Sequence, residues 1–229
     1  MKDKNFTMIG MKDICNLSRI PINIDRNPCF LTALQYKSGD VVKSQSALCR
    51  HYKTYNPETI YDFYGKVEKL KNYSSKYAFL PWIFERPMKQ LIDTAFIQNP
   101  TPELLLKQEK KIFNLVDSFE THGYRPELFL DRKAGNITGY FIKSGEVKRF
   151  YIVSGNHRAS VFFALNPDIK LPVAYEVEKY AKPREMFGRA RGSFLNIYDL
   201  NAAATWPSVK SGFLNVEEAR QIAKVYLYV

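Results

Sequence analysis

The sequence is poor in cysteine, and its cysteines are not spaced to bind a metal. The 229 residues include three cysteines, Cys15, Cys29 and Cys49, which are far apart and show no Cys-x-x-Cys or histidine spacing. This pattern predicts reduced, structural thiols without a redox role. The odd number argues against a disulfide-stapled secreted domain, and one bridge plus one free thiol is the alternative.

Long apolar runs are missing too. No segment approaches the roughly 18 uninterrupted apolar residues of a membrane span, and residues 1–16 lack the continuous apolar stretch of a signal peptide. At 45% hydrophobic and 14% aromatic residues, the chain should still fold, as one large domain or two small ones. We expect a soluble, cytoplasmic protein with no membrane span.

The formal net charge is +11, and acidic side chains are mixed among the basic ones. A positive field of this kind favours DNA, RNA, an anionic membrane, a nucleotide or a phosphorylated glycan as partner. The charge therefore indicates a class of partner without choosing among its members. Internal repeats and low-complexity segments are absent from the sequence.

Three regions, residues 1–100, 101–178 and 179–229, are expected to form one compact unit. In the first region, local signals predict a strand at 20–24, a helix from a Ser44 cap to Tyr52, a helix from Asn56-Pro57 to Gly65, and an extended buried segment at 79–84. The last region is expected to end in a helix over 216–228.

The second region has the clearest helix. Thr101 is a capping residue, Pro102 suits the first turn, and apolar residues recur at helical spacing until Gly123. Residues 140–143 and 147–153, joined by a Ser144-Gly145 turn, predict a β-hairpin.

A glycine turn then follows the apolar run 150–153. Ser154-Gly155-Asn156-His157-Arg158-Ala159-Ser160 leads directly into an apolar helix, so His157 and Arg158 fall in its first turn. Helix N-termini favour anions, arginine can fork onto two phosphate oxygens, and histidine can donate or accept a proton. We predict a nucleotide-phosphate site, with Ser154, Gly155, Asn156, His157, Arg158 and Ser160 as binding residues. The alternatives are a surface ion pair for Arg158 and a carboxylate or carbonyl partner for His157.

The order of these motifs resembles the ParB/sulfiredoxin superfamily, whose core runs helix, Gly-x-x-Pro, two strands, Gly-x-x-Arg turn, helix and "lPV" strand. Gly123-Tyr124-Arg125-Pro126, Gly155-Asn156-His157-Arg158 and Leu171-Pro172-Val173 match it, within about residues 102–178. The resemblance implies an α/β (α+β) fold with a ParB/sulfiredoxin-like core and N- and C-terminal elaborations. It also makes Gly123 and Tyr124 the opposing wall of the nucleotide site.

Departures from the family pattern narrow the chemistry. Sulfiredoxins carry a reactive cysteine where this chain has Asn156, which excludes thiol-based phosphoryl chemistry on a sulfinic acid. ParB partition proteins have Glu-Arg-Arg after the glycine and a following DNA-reading domain, for which the roughly 50 residues after the last core strand are too few. Chromosome partitioning is therefore not expected.

Two other branches are more similar. Free serine kinases hold ATP with an acidic-Gly-His-x-Arg-like turn, where this chain has Ser154 at the acidic position, and use an N-terminal glutamate as base. Nearly the whole chain, from residues 20–23 through Trp206-Pro207 to residues 217–219, resembles ParB-like proteins of bacterial surface-polysaccharide clusters. They imply glycan or lipopolysaccharide-core modification. Trp206 would then be an aromatic platform for sugar or, alternatively, a core residue.

A phosphotransferase also needs a carboxylate to accept a proton from the acceptor. Glu85 is favoured among Glu85, Glu120, Glu127 and Glu176, because it lies among aromatic residues and prolines. The alternative for Glu85 is an ion pair with Arg86 or another neighbour in a buried loop.

The sequence thus predicts a kinase that uses ATP or CTP with Mg²⁺ on a small-molecule or glycan acceptor, with Glu85 and His157 as catalytic residues. Alternatives are a CTP- or nucleic-acid-binding module without turnover, and an inactive scaffold of the same fold.

Overall fold

A β-hairpin lies at the centre of the fold. The computed structural model describes residues 6–16, 22–41, 45–54, 80–82, 101–126, 137–175 and 197–229. Strands β3 (Thr138–Ser144) and β4 (Val147–Ser154) pair antiparallel. Gly145 has a φ of 57° in the intervening turn, a backbone conformation that glycine adopts without strain. The predicted hairpin and its turn are confirmed.

Strands from distant parts of the sequence extend this hairpin into a six-stranded sheet. Strand β5 (Leu171–Tyr175) pairs with β3, and β1 (Phe6–Ile9) pairs with β5. On the other side, β2 (Ile14–Asn16) runs parallel to β4. Strand β6 (Ile197–Asp199) runs parallel to β3. Described residues from all three sequence regions therefore contribute to one sheet.

Four helices share the core on the first face of this sheet. They are α1 (Pro28–Ser38), α2 (Ala47–Thr54), α3 (Pro102–His122) and α4 (Asn156–Leu165). The start of α3 is the predicted one, because the Thr101 side chain accepts a hydrogen bond from Leu104 N at 3.3 Å. The mixture of helix and sheet agrees with the predicted α+β class.

The second face is covered by the last described segment. It comprises a 3₁₀ helix (Leu200–Thr205), α5 (Pro207–Lys210) and α6 (Val216–Leu227). The terminal helix is thus confirmed to within one residue, and the Asn215 and Glu218 side chains form a capping box at its start. This motif satisfies two helix N–H groups.

The pleat of the hairpin sorts its aromatic residues between the two cores. Phe141 pairs with Phe150 and both belong to the first core, whereas Tyr140 pairs with Tyr151 and both belong to the second. Successive side chains of a strand point to opposite faces, so adjacent residue pairs serve different layers.

The second core is an aromatic cluster around Trp82. Its ring contacts the rings of Tyr140, Tyr151, Tyr198, Trp206 and Tyr226 at centroid distances of 5.6–6.4 Å. Trp206 is only 3% exposed. The hypothesis that it presents a platform to a sugar is therefore wrong, and its ring stabilises the core instead.

Several N-terminal predictions need correction. Ile24 begins a 3₁₀ helix (Ile24–Arg26) rather than ending a strand. Helix α2 begins at Ala47 and extends to Thr54, and the Oγ of Ser46 before it accepts a hydrogen bond from Cys49 N at 3.3 Å. The predicted cap, Ser44, lies outside the described residues. Leu80 and Trp82 are buried as predicted, but residues 81–82 form a turn. The helix predicted from Asn56 lies outside the described residues.

All three cysteines are free and buried, in agreement with structural thiols. Among the described helices, none is long and apolar enough to cross a membrane.

Candidate functional site

Gly155 makes the turn from β4 into α4, and two constraints require glycine there. Its φ is 95°, a left-handed conformation that side chains disfavour. A Cβ atom at this position would also lie 2.8 Å from Ile137 Cγ1 and 3.2 Å from Arg158 Nη2. No side chain caps α4 at Gly155, and the first-turn N–H groups of an α-helix point outward along its axis.

Ser160 supports this turn from behind. The side chain is completely buried, and its hydroxyl lies 2.9 Å from the Asn156 carbonyl oxygen and 3.3 Å from Asn27 Oδ1. Asn27 caps α1, since the same Oδ1 accepts from Cys29 N and Phe30 N. The N-termini of α1 and α4 therefore meet at one buried contact, and Ser160 holds them together.

Tyr124 forms a wall beside the turn. Its ring contacts Phe119 of α3 at 5.5 Å and Phe162 of α4 at 5.8 Å. Its hydroxyl accepts from Ile137 N at 3.3 Å. Because Ile137 also lies next to Gly155, this hydrogen bond links Tyr124 to the glycine turn.

Gly123 allows the chain to reach Tyr124. It ends α3 with φ 68° and ψ 175°, a combination that is essentially restricted to glycine. Its N–H donates to Phe119 O at 2.9 Å, so the last turn of the helix is closed immediately before Tyr124.

Lys111 is the site residue that sequence reasoning missed. It lies on α3, and its positive charge lowers the pKa of His157. Lys111 Nζ donates to Gln108 Oε1 at 3.2 Å. A sequence signal exists, because Lys111, Leu115 and Phe119 recur every four residues and so share a helix stripe. Phe119 contacts the Tyr124 wall.

His157 and Arg158 are both half-buried in the first turn of α4. Burial, followed by the charges of Lys111 and Arg158, lowers the pKa of His157 to about 4. The imidazole is therefore neutral at pH 7. Burial lowers the pKa of Arg158 while Tyr124 raises it, and the guanidinium stays charged at any physiological pH. The site thus combines two cations with one neutral imidazole.

The remaining predicted binding residues flank this group. Ser154 is exposed at the end of β4, where it pairs with Thr138. Asn156 is half-buried at the first position of α4, and its carbonyl oxygen accepts a hydrogen bond from the Ser160 hydroxyl. Both adjoin Gly155 in the chain.

The proposed catalytic carboxylates are not brought to this turn within the described chain. Glu85, Glu127 and Glu176 lie outside the described residues. Glu120 is exposed on α3, and its charge raises the pKa of Tyr36 on α1. Among the described residues, Lys111 and Arg158 act on His157, and Glu120 does not.

A further carboxylate, Glu109, has a different position. It is 2% exposed and accepts from Cys49 Sγ of α2 at 3.4 Å. This contact joins α2 to α3 inside the helical layer. Buried carboxylates need such partners, and sequence reasoning had not singled Glu109 out.

No group of three or more His, Cys, Asp or Glu side chains that could hold a metal ion occurs among the described residues. Mg²⁺ commonly binds through substrate phosphates with few protein ligands.

No protein-family model, curated protein or solved structure matches the chain.

Proposed function

We propose that this protein is a nucleotide-dependent phosphotransferase with a ParB/sulfiredoxin-like core, and that ATP or CTP binds with its phosphates at the first turn of α4. One observation carries the proposal: His157 and Arg158 lie in the first helical turn after a glycine with no room for a side chain, and the charge of Lys111 on α3 acts on His157.

Each group has a distinct part in binding. The N–H groups of the α4 turn and the helix dipole attract an anion. Arg158 can contact two phosphate oxygens at once, and Lys111 contributes a second charge from the neighbouring helix. Tyr124 limits the site on one side. A nucleotide would supply the Mg²⁺ through its own phosphates.

The reaction needs little covalent help from the protein. An acceptor hydroxyl oxygen would bond to the terminal phosphorus while the bond from that phosphorus to the bridging oxygen breaks, and the hydroxyl proton would pass to a carboxylate. Glu85 is the proposed base from its sequence surroundings. The proposed acceptor is a small molecule or a glycan, in keeping with the resemblance to surface-polysaccharide proteins.

A binding module without turnover is the second candidate. Lys107, Lys110 and Lys111 are all exposed on α3, and such a basic helix can contact successive phosphates of a nucleic acid or the phosphates of CTP. Binding to duplex DNA would then weaken steeply with salt, because released counterions drive such binding.

Isothermal calorimetry with ATP and CTP in the presence of Mg²⁺ tests the phosphate site. We expect micromolar binding that Arg158→Ala and His157→Ala weaken by about tenfold or more, and Lys111→Ala by a smaller factor, since hydrogen bonds to charged groups contribute roughly 1.5–3 kcal/mol. Lys107→Ala is the matched control. It removes the same exposed charge from α3 one turn earlier and should change the affinity less than about twofold.

Two results would count against the proposal. If neither nucleotide binds, the phosphate site is wrong. If Lys107→Ala weakens binding as much as Lys111→Ala, the effect reflects overall charge rather than a built site. Should binding pass both tests, transfer of the terminal phosphate of ATP to sugars and amino acids distinguishes the kinase from the binding module.

A further inference from the structure

An open groove of about 670 Å³ lies where α1, α2 and α4 meet. Its apolar lining comes from Leu31 and Leu34 of α1, Ala47 of α2 and Ala164 of α4. Ala164 is the last residue but one of α4, whereas the glycine turn precedes the first residue of that helix. The groove, here named the α1 groove, is therefore a separate feature from the proposed phosphate site.

Helix α1 exposes leucines on its outward side. Leu31 is 39% exposed and Leu34 is 38% exposed, whereas Thr32 between them is completely buried. Residues three positions apart are neighbours on a helix surface, so the two leucines form one apolar ridge. A single exposed leucine is ordinary, but apolar side chains that share a groove with polar groups around it are typical of a binding surface.

Hydrogen bonds from α1 fix the opposite wall of the groove. Thr32 Oγ1 accepts from Leu48 N at 2.8 Å, and Gln35 Oε1 accepts from Ala47 N at 2.8 Å. Both N–H groups belong to the first turn of α2, where no carbonyl of the same helix can accept from them. The groove is therefore already formed in the free protein, and a partner loses little affinity to the ordering of its walls.

The rim of the α1 groove carries two cations and one carboxylate among the described lining residues. Lys37 and Arg50 are the cations, and both are exposed. Asp40 is the carboxylate, and it accepts from the Ser38 hydroxyl at 2.6 Å. Arg50 donates to Gln45 O, which occupies one of its five N–H groups. This rim favours carboxylates on a partner.

We infer that the α1 groove binds an acidic segment of another protein, with one bulky apolar side chain seated over the two alanines and carboxylates beside the two rim cations. The alanines leave space for that side chain, and the leucines provide its apolar contacts. A large apolar side chain in a pocket is the usual anchor of an interface, while rim charges select the partner.

Charge and shape distinguish this occupant from two others. A second copy of the chain is disfavoured, because the net charge of +11 makes two copies repel each other. An anionic bilayer presents a flat surface to a concave groove. An acidic segment with a protruding apolar side chain matches both the charge and the shape.

Selection from a displayed library of short random peptides tests the inference on the full chain. A parallel selection on the double variant Leu31→Gln/Leu34→Gln removes peptides that bind elsewhere. Because both leucines are exposed, the variant should keep the fold, which circular dichroism checks. We expect the peptides enriched only on the unchanged protein to be acidic and to contain a bulky apolar residue.

Fluorescence anisotropy with one enriched peptide, synthesised and labelled, measures the affinity. Replacing either leucine by glutamine should weaken binding by about fivefold or more, and the double variant Lys37→Gln/Arg50→Gln should weaken it by about fivefold. Ile169→Gln is the apolar control, at a residue that is 55% exposed and does not line the groove. Lys107→Gln on α3 is the charge control. Each control should change the affinity less than about twofold.

Several results would overturn the inference. If no peptide prefers the unchanged protein, or if the control variants weaken binding as much as the groove variants, the groove is not a peptide site. If the enriched peptides are basic or uncharged, the partner is not acidic. If sedimentation shows a dimer that the leucine double variant lacks, a second copy occupies the groove. If phosphatidylglycerol vesicles bind the protein but not that variant, the groove meets a membrane.

Discussion

At the scale of single residues, Gly155 combines a backbone constraint with a packing constraint. The left-handed φ of 95° alone disfavours any side chain, and the near contact with Ile137 adds a steric cost. Gly145 provides the comparison, since it has a φ of 57° but no heavy atom within 4 Å of the place where a Cβ would be. The two glycines differ mainly in what surrounds them.

Gly155→Ala should therefore destabilise the protein more than Gly145→Ala. We expect Gly145→Ala to cost about 1 kcal/mol from backbone strain, and Gly155→Ala to cost roughly 1–3 kcal/mol more because a Cβ must displace Ile137 or Arg158. Urea unfolding of both variants measures the difference. Equal losses would mean that Ile137 moves aside freely.

Gly155 and Arg158 also show what a sequence can reveal. A glycine after an apolar strand and before an apolar helix predicts the turn, because the conformation depends on adjacent residues. The role of Lys111 depends on how α3 packs against α4, which is a contact between distant segments. The four-residue spacing of Lys111 and Leu115 places both on one stripe of α3. It does not show which helix that stripe packs against.

At the scale of elements, the junction between α1 and α4 is one buried hydrogen-bond group. Asn27 Oδ1 accepts from two N–H groups of α1 and lies 3.3 Å from the Ser160 hydroxyl. Asn27 is 2% exposed, so water cannot readily replace a lost partner. The glycine turn at the start of α4 thus depends on a capping residue from a different part of the chain.

Asn27→Ala should lower the free energy of unfolding by about 1–2 kcal/mol because the cap of α1 is lost. A further loss is expected because the Ser160 hydroxyl then has one hydrogen-bond partner fewer. Ser160→Ala should cost about 1 kcal/mol. Because the two side chains interact, the loss in the double variant should be smaller than the sum of the single losses. Urea unfolding of the three variants measures this coupling. If the loss in the double variant equals the sum of the two single losses, the Asn27 and Ser160 side chains do not stabilise each other.

The success of prediction also varied among elements. Helix α3 was predicted because Thr101, Pro102 and Gly123 mark its ends. Helix α1 was not predicted, although Asn27-Pro28 and Gly39 are start and stop signals of the same kind. Strands β1 and β2 are short, and their existence depends on partners far along the chain, β5 and β4. Local patterns cannot specify such pairings.

At the scale of the whole molecule, two cores share one sheet. The two tryptophans of the chain, Trp82 and Trp206, both lie in the second core, whereas α1, α2, α3 and α4 belong to the first. The hairpin strands supply side chains to both. Loss of either core would expose one face of the same strands.

We therefore expect one cooperative unfolding transition. In urea, tryptophan fluorescence reports the second core and far-ultraviolet circular dichroism reports mainly the helices of the first, so the two curves should coincide. Tyr228→Phe, at a residue that is 60% exposed, should leave both curves unchanged as a control. Separate midpoints would show that the two layers unfold independently.

The strand order bears on how the chain acquires its structure during synthesis. Strands β1 and β2 leave the ribosome early, yet they pair with β5 and β4, which are made much later. Until then they have no native partners, and closing such long loops slows folding. The two edges of the sheet are thus synthesised before the strands with which they pair, and they stay without those partners until the central strands have been made.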